Sequence, residues 1–165
     1  MESGKLFAIL GGFLTLLGTY VFAIRGIVGN VGSGIGFIFN IGPLFENAAT
    51  YSSSLGIDII FYYLLIVIFI IYLASGLLQI LASNSRFGSL IFSLFPLGVG
   101  IMFIFLQYTT ILGDTSLFFS DFFDGEQYGN IFPFLINLGG LALGAYIVLA
   151  GGVLGFLSVF LPRED

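Results

Sequence analysis

From Ile59 to Leu81 the chain reads IIFYYLLIVIFIIYLASGLLQIL, a stretch without a single charged side chain. At about 1.5 Å per residue a helix over this stretch crosses roughly 30 Å of hydrocarbon, for which about 20 apolar residues suffice. In water such a helix would have no polar face to present. Three other segments share the character, so spans are predicted over residues 6–28, 57–82, 89–113 and 131–161. Only 8% of the 165 residues are charged and 58% are hydrophobic, against about 25% charged in an ordinary soluble domain. The chain therefore reads as an all-α integral membrane protein, one membrane domain built as a four-helix bundle.

The connections set the expected orientation. Residues 83–88 (SNSRFG) form a tight turn, whereas 29–56 and 114–130 are longer loops. Lys5, Arg86 and Arg163 fall on one side and Arg25 alone on the other. Basic residues favour the cytoplasmic side, which predicts cytoplasmic termini and two extracytoplasmic loops in the cell membrane. The first span is expected to be retained: its apolar core is longer than the h-region of a signal peptide, Glu2 lies in the n-region, and no small-x-small cleavage site follows.

Helical periodicity places small and polar residues on one stripe of each span. The first aligns Gly11, Thr15, Gly18, Phe22 and Arg25; the second Asp58, Tyr62, Phe69, Tyr72, Gly76 and Gln79. The third aligns Ser89, Ser93, Pro96, Gly100 and Gln107. The fourth aligns Asn137, Gly140, Gly144, Gly151, Gly155 and Ser158, with Val148 near the stripe's edge. In lipid, small residues let helix backbones approach closely, so Gly11, Gly18, Gly140, Gly144, Gly151 and Gly155 are the expected packing positions. Gln107 and Asn137, with Thr19 and Tyr62 or Tyr63, are expected to form a polar layer toward the loop-bearing end. Arg25 is expected to pair with Asp58, or else with Glu46. Asp58 also stands at a helix start, where a carboxylate suits the dipole.

The chemical inventory is short. Without Cys or His there is no disulfide, thiolate nucleophile, imidazole ligand or His-based acid–base pair. The net charge of −5 and the scattered basic residues argue against nucleic acid. No titratable group stands at mid-depth in a span, which disfavours a coupled pump. Asp121, Asp124 and Glu126 around Gly125 offer oxygen ligands without an EF-hand spacing; they read as a solvated loop, with a weak cation site as the alternative. GSGIG at residues 32–36 lacks the lysine of a phosphate loop. No catalytic residue, cofactor or metal site is expected.

What stands out is aromatic. The loops carry Phe37, Phe39, Phe45, Phe118, Phe119, Phe122 and Phe123, although apolar rings gain nothing in water. They are expected to lie in the membrane interface, to pack loop on loop, or to meet a partner. Gly36, Gly42 and Pro43 suggest short irregular or interfacial structure in the first loop. The layout resembles that of claudins and tetraspanins in topology alone, because their loop cysteines, and the Trp-containing signature of claudins, are absent. The expected function is non-catalytic: an accessory or scaffold subunit of a membrane complex, or a self-assembling surface protein. Its partners would be membrane lipids and either copies of itself or other membrane subunits. The alternative is a small oligomeric channel or transporter with a polar vestibule.

Overall fold

In the computed structural model, which describes residues 2–111 and 121–163, four helices are long and apolar enough to cross a membrane. The first is α1 (Ser3–Leu16), continued by a wider π-type turn over Leu17–Val21. A hairpin of β1 (Arg25–Ile27) and β2 (Asn30–Gly32) follows, then α2 (Gly34–Glu46) and α3 (Ala48–Leu55). Next come α4 (Ile59–Leu81) and α5 (Arg86–Tyr108), joined by a tight turn. Beyond the undescribed residues lie β3 (Asp124–Glu126), a second small hairpin of β4 (Asn137–Leu138) and β5 (Leu141–Ala142), and α6 (Leu143–Leu157) with a closing 3-10 turn over Ser158–Phe160. The fold is thus that of a multi-pass membrane protein, mostly helical, with a small sheet at one end.

Local chemistry starts the long helices where it should. The Asp58 carboxylate accepts from the Ile60 amide at 2.8 Å and opens α4. The Ser85 hydroxyl accepts from Gly88 at 3.1 Å and opens α5; both satisfy amides that a helix start leaves without partners. The helices α1, α4, α5 and α6 close into a ring, and glycine sets the spacing. A Cβ on Gly151 would lie 2.7 Å from the Gly11 carbonyl oxygen, and one on Gly18 would lie 2.7 Å from the Val148 nitrogen. Gly76 meets Gly12 across α1 and α4, and Gly100 meets Leu149 across α5 and α6. The periodic stripe of α4 faces inward: Tyr62, Phe69, Tyr72, Gly76 and Gln79 are all buried.

Two spans are shorter than the apolar composition suggests. The first helix stops at Val21 rather than continuing to residue 28, because the following backbone has better partners outside a helix. Ala23 donates to Phe134 and Ile24 to Gly32, while the carbonyls of Ala23 and Ile24 accept from Gly144 and Ala142, all within 2.8–2.9 Å. Gly26 and Gly29 adopt φ of +130° and +96°, conformations open to glycine and costly for other residues. Likewise, residues 131–142 are not the start of the last span. They form the chain that receives residues 22–24 and the β4–β5 hairpin, and the helix proper begins at Leu143.

The first loop also holds more regular structure than its Gly and Pro content implies. Ser33 caps α2 by accepting from Gly36 at 3.1 Å, and Pro43 is tolerated within the helix. This helix runs antiparallel to α4 along its first two thirds. Gly34 lies against Thr19 and Leu73, the Phe37 and Phe69 rings are 5.6 Å apart, and the Tyr62 hydroxyl donates to the Leu44 carbonyl at 3.0 Å. From Leu73 to Tyr62 is about 16 Å along α4. The start of α2 therefore lies well down the bundle, beside the end of α1.

Candidate functional site

The loop-bearing end is built where the two long loops meet. Strand β2 pairs antiparallel with β1 on one side and with β3 on the other, placing Asn30 opposite Glu126 and Gly32 opposite Asp124. Below this sheet Phe123 points into the bundle and is fully buried. Its ring lies 5.0 Å from Phe37, 5.1 Å from Phe103 and 5.3 Å from Phe69. Phe122 is buried beside Tyr62 and Tyr51. These rings close the mouth of the helix ring and bind the second loop to α2, α4 and α5.

Backbone contacts hold the plug in register. The Ser33 amide donates to the Phe123 carbonyl at 2.8 Å, and the Asn40 amide group donates to the carbonyls of Phe122 at 3.0 Å and Asp124 at 2.9 Å. Gly36 lies against the Phe123 carbonyl, where any side chain would intrude. At the hairpin tip, Gln127 is buried and saturates its surroundings. It accepts from Gly29 at 3.0 Å and donates to Ile131 at 3.1 Å and Pro133 at 2.8 Å. Such fully bonded amides fix one geometry, since leaving them unpaired is costly.

Charge at this end is mostly negative. Arg25 pairs with Asp124 at 3.5 Å across β1, β2 and β3, not with Asp58 or Glu46. The pairing assigned from helical phase fails because Arg25 belongs to a strand. Burial pushes the Asp124 carboxyl above the ordinary range, a rise that Arg25 partly opposes and Asp121 reinforces. Asp58 remains at the start of α4 as its cap.

The candidate loop aromatics divide. Phe37, Phe122 and Phe123 are interior, so they pack loop on loop. Phe39 is 67% exposed, and Phe45 is 42% exposed with its ring stacked on Tyr63 of α4 at 5.8 Å. Phe118 and Phe119 lie outside the described residues. Among the packing glycines, Gly11, Gly18, Gly144, Gly151 and Gly155 stand at helix–helix contacts, whereas Gly140 is exposed beyond the helix and lies against Gln107. Gln107 and Asn137 are both exposed, so the polar layer assigned to them is not in the bundle. The interior polar groups include Thr19, whose hydroxyl shares a 2.8 Å hydrogen bond with Tyr72, and Gln79, which donates to the Ala8 carbonyl at 3.1 Å. Val148 is fully buried rather than at an edge.

Asn40 and Gln127 escape sequence reasoning because a lone amide in a loop has no period. The hairpin itself did leave a signal: in RGIVGN two glycines flank an apolar pair, a turn pattern. No family model, curated protein or solved structure matches this chain.

Proposed function

We propose that this chain is a non-catalytic membrane protein that works by association, as an accessory or scaffold subunit or as a self-assembling surface protein. In this reading it lies in the cell membrane with cytoplasmic termini, and its loop-bearing end is the working surface. One observation carries the proposal. Ile27 and Val28, at the tip of the first hairpin, are 73% and 72% exposed. The exposed apolar residues along α4 and α5 have lipid as a natural neighbour. The hairpin tip belongs instead to the sheet that pairs with the acidic strand β3, a polar setting in which two exposed apolar side chains suit a partner.

The tip is also rigid. Gln127 ties Gly29 to the segment bearing Ile131, which is itself exposed beside Tyr128. A preorganised apolar patch loses little conformational freedom when a partner covers it, and that improves affinity. Glu126, opposite Asn30 beside the tip, would contribute to the polar rim of such a contact. The rival reading, a pore, has less support, since Phe37, Phe69, Phe103 and Phe123 fill the mouth of the helix ring. The test replaces Ile27 and Val28 by Ser together and compares native mass after mild-detergent extraction. The wild-type chain should run as an assembly, and the variant should lose it while keeping its unfolding temperature. A monomeric wild type, or a variant that keeps the full assembly, overturns the proposal.

A further inference from the structure

The opposite end of the bundle carries a buried charge with no countercharge among the described residues. Arg163, just past the last helical turn, is only 8% exposed. It is aimed into the junction of the first turns of α1 and α5. One terminal nitrogen, Nη2, donates to the Ser158 hydroxyl at 2.9 Å and the Ser89 hydroxyl at 3.1 Å, and reaches the Gly4 carbonyl at 3.5 Å. Nε and Nη1 are buried with no acceptor. No described carboxylate pairs with it.

The surroundings add to the positive potential. Arg86 opens α5 and is exposed, and Lys5 lies in the first turn of α1. The start of α1 has no side-chain cap, since Glu2 accepts no amide with its carboxylate. Helix starts carry partial positive charge, and two of them converge here. Glu2 is the sole acidic residue at this end among the described residues. Burial lowers the Arg163 pKa first and repulsion from Arg86 second, with Glu2 opposing. An ionised guanidinium taken from water needs compensation, and four hydroxyl or carbonyl acceptors on one nitrogen, the Ser158 carbonyl at 3.4 Å included, supply only part of it.

We propose that this end is a phosphate-binding site, with the phosphate held over Arg163 between the first turns of α1 and α5, and with Lys5 and Arg86 at its rim. In a membrane the nearest source of that group is the headgroup of an anionic lipid, and free phosphate is the other. Basic pockets between spans take lipid phosphates in this manner.

Native mass spectrometry of the full chain in mixed micelles tests the idea, with phosphatidylglycerol and phosphatidylcholine offered in equal amounts. The wild type should retain phosphatidylglycerol preferentially. Each basic residue removed should weaken that retention about fivefold, the factor equivalent to ~1 kcal/mol per basic residue near an anionic surface. The variants are Arg163→Gln and the rim pair Lys5→Gln with Arg86→Gln. If millimolar inorganic phosphate strips the lipid, the same site takes free phosphate and the recognised group is confirmed; if it does not, the lipid is the source. Phosphatidylcholine carries the same phosphodiester beside a quaternary ammonium that Arg163, Lys5 and Arg86 repel, so equal retention of the two lipids by the wild type overturns the proposal, as does an undiminished preference in Arg163→Gln. Where Arg163→Gln yields no folded protein, an undiminished preference in the rim double variant overturns it instead.

Discussion

Replacing Phe123 by Ala should be the most damaging single change at the loop-bearing end. The ring is fully buried among three others at 5.0, 5.1 and 5.3 Å. Buried Phe→Ala changes cost about 3–5 kcal/mol. Aromatic pairs add about 0.5–1.5 kcal/mol each beyond area burial, so a ring with three such partners should cost at least about 3–4 kcal/mol. For a chain of this size each kcal/mol moves the unfolding temperature by about 2–4 °C, which predicts a drop of roughly 6–16 °C. Thermal unfolding in mild detergent, followed by circular dichroism, measures this. Phe39→Ala is the control, because that ring is exposed and its loss should cost no more than about 0.5 kcal/mol. Phe123→Leu should fall between them. If Phe123→Ala and Phe39→Ala shift the transition equally, the ring does not hold the second loop in the bundle.

Arg25→Ala combined with Asp124→Ala should show non-additive stability effects, whereas Arg25→Ala with Asp58→Ala should be additive, because only the first pair is in contact. Asp124 has a raised pKa in the folded chain, so its contribution is greatest when it is protonated and declines as pH rises through that value. Lowering the pH from 7 toward 4.5 should therefore stabilise the wild type relative to Asp124→Asn, as read from paired unfolding temperatures. Leu at Gly151 should separate α1 from α6 and lower stability more than Leu at Val148, which overpacks a filled site at a cost of about 1–3 kcal/mol; denaturant titration ranks the two. For orientation, cysteines placed at the exposed Asn84 and Ser53 have no native thiol background. An impermeant thiol reagent on intact cells should label Ser53→Cys and spare Asn84→Cys.

The parts legible in the sequence are those set by local periodicity. The inward face of α4 could be read residue by residue because Tyr62, Phe69, Tyr72, Gly76 and Gln79 recur at the helical period. The helix boundaries could not. Residues 22–28 and 131–142 are as apolar as the spans they adjoin, and their extended form depends on hydrogen bonds to each other across more than about 100 residues, beyond any local pattern. Helical phase places Arg25 opposite Asp58, but the helix ends at Val21 and the strand that follows turns Arg25 to Asp124. The loop aromatics were recognised as out of place in water. Which of them turn inward was decided by Asn40 and by Gly36, whose close approach to the second loop has no sequence period.

The depth at which α2 begins has a consequence for how the chain is made. Its seat is formed by Thr19, by Phe69 and Leu73 of α4, and by Phe123, and the last of these is synthesised more than 80 positions after Phe37. A nascent chain emerges from its N-terminus, so α2 reaches the membrane long before the ring that completes its pocket. It must wait there with Phe37 and Leu44 uncovered while α4 and α5 are inserted. Only the arrival of residues 121–126, and then of 131–142 beside residues 22–24, closes the structure. A ribosome-bound intermediate ending after α5 should thus have its helices paired and its first hairpin still unanchored. The sheet that joins the two loops is thus completed only after three of the four long helices have been made.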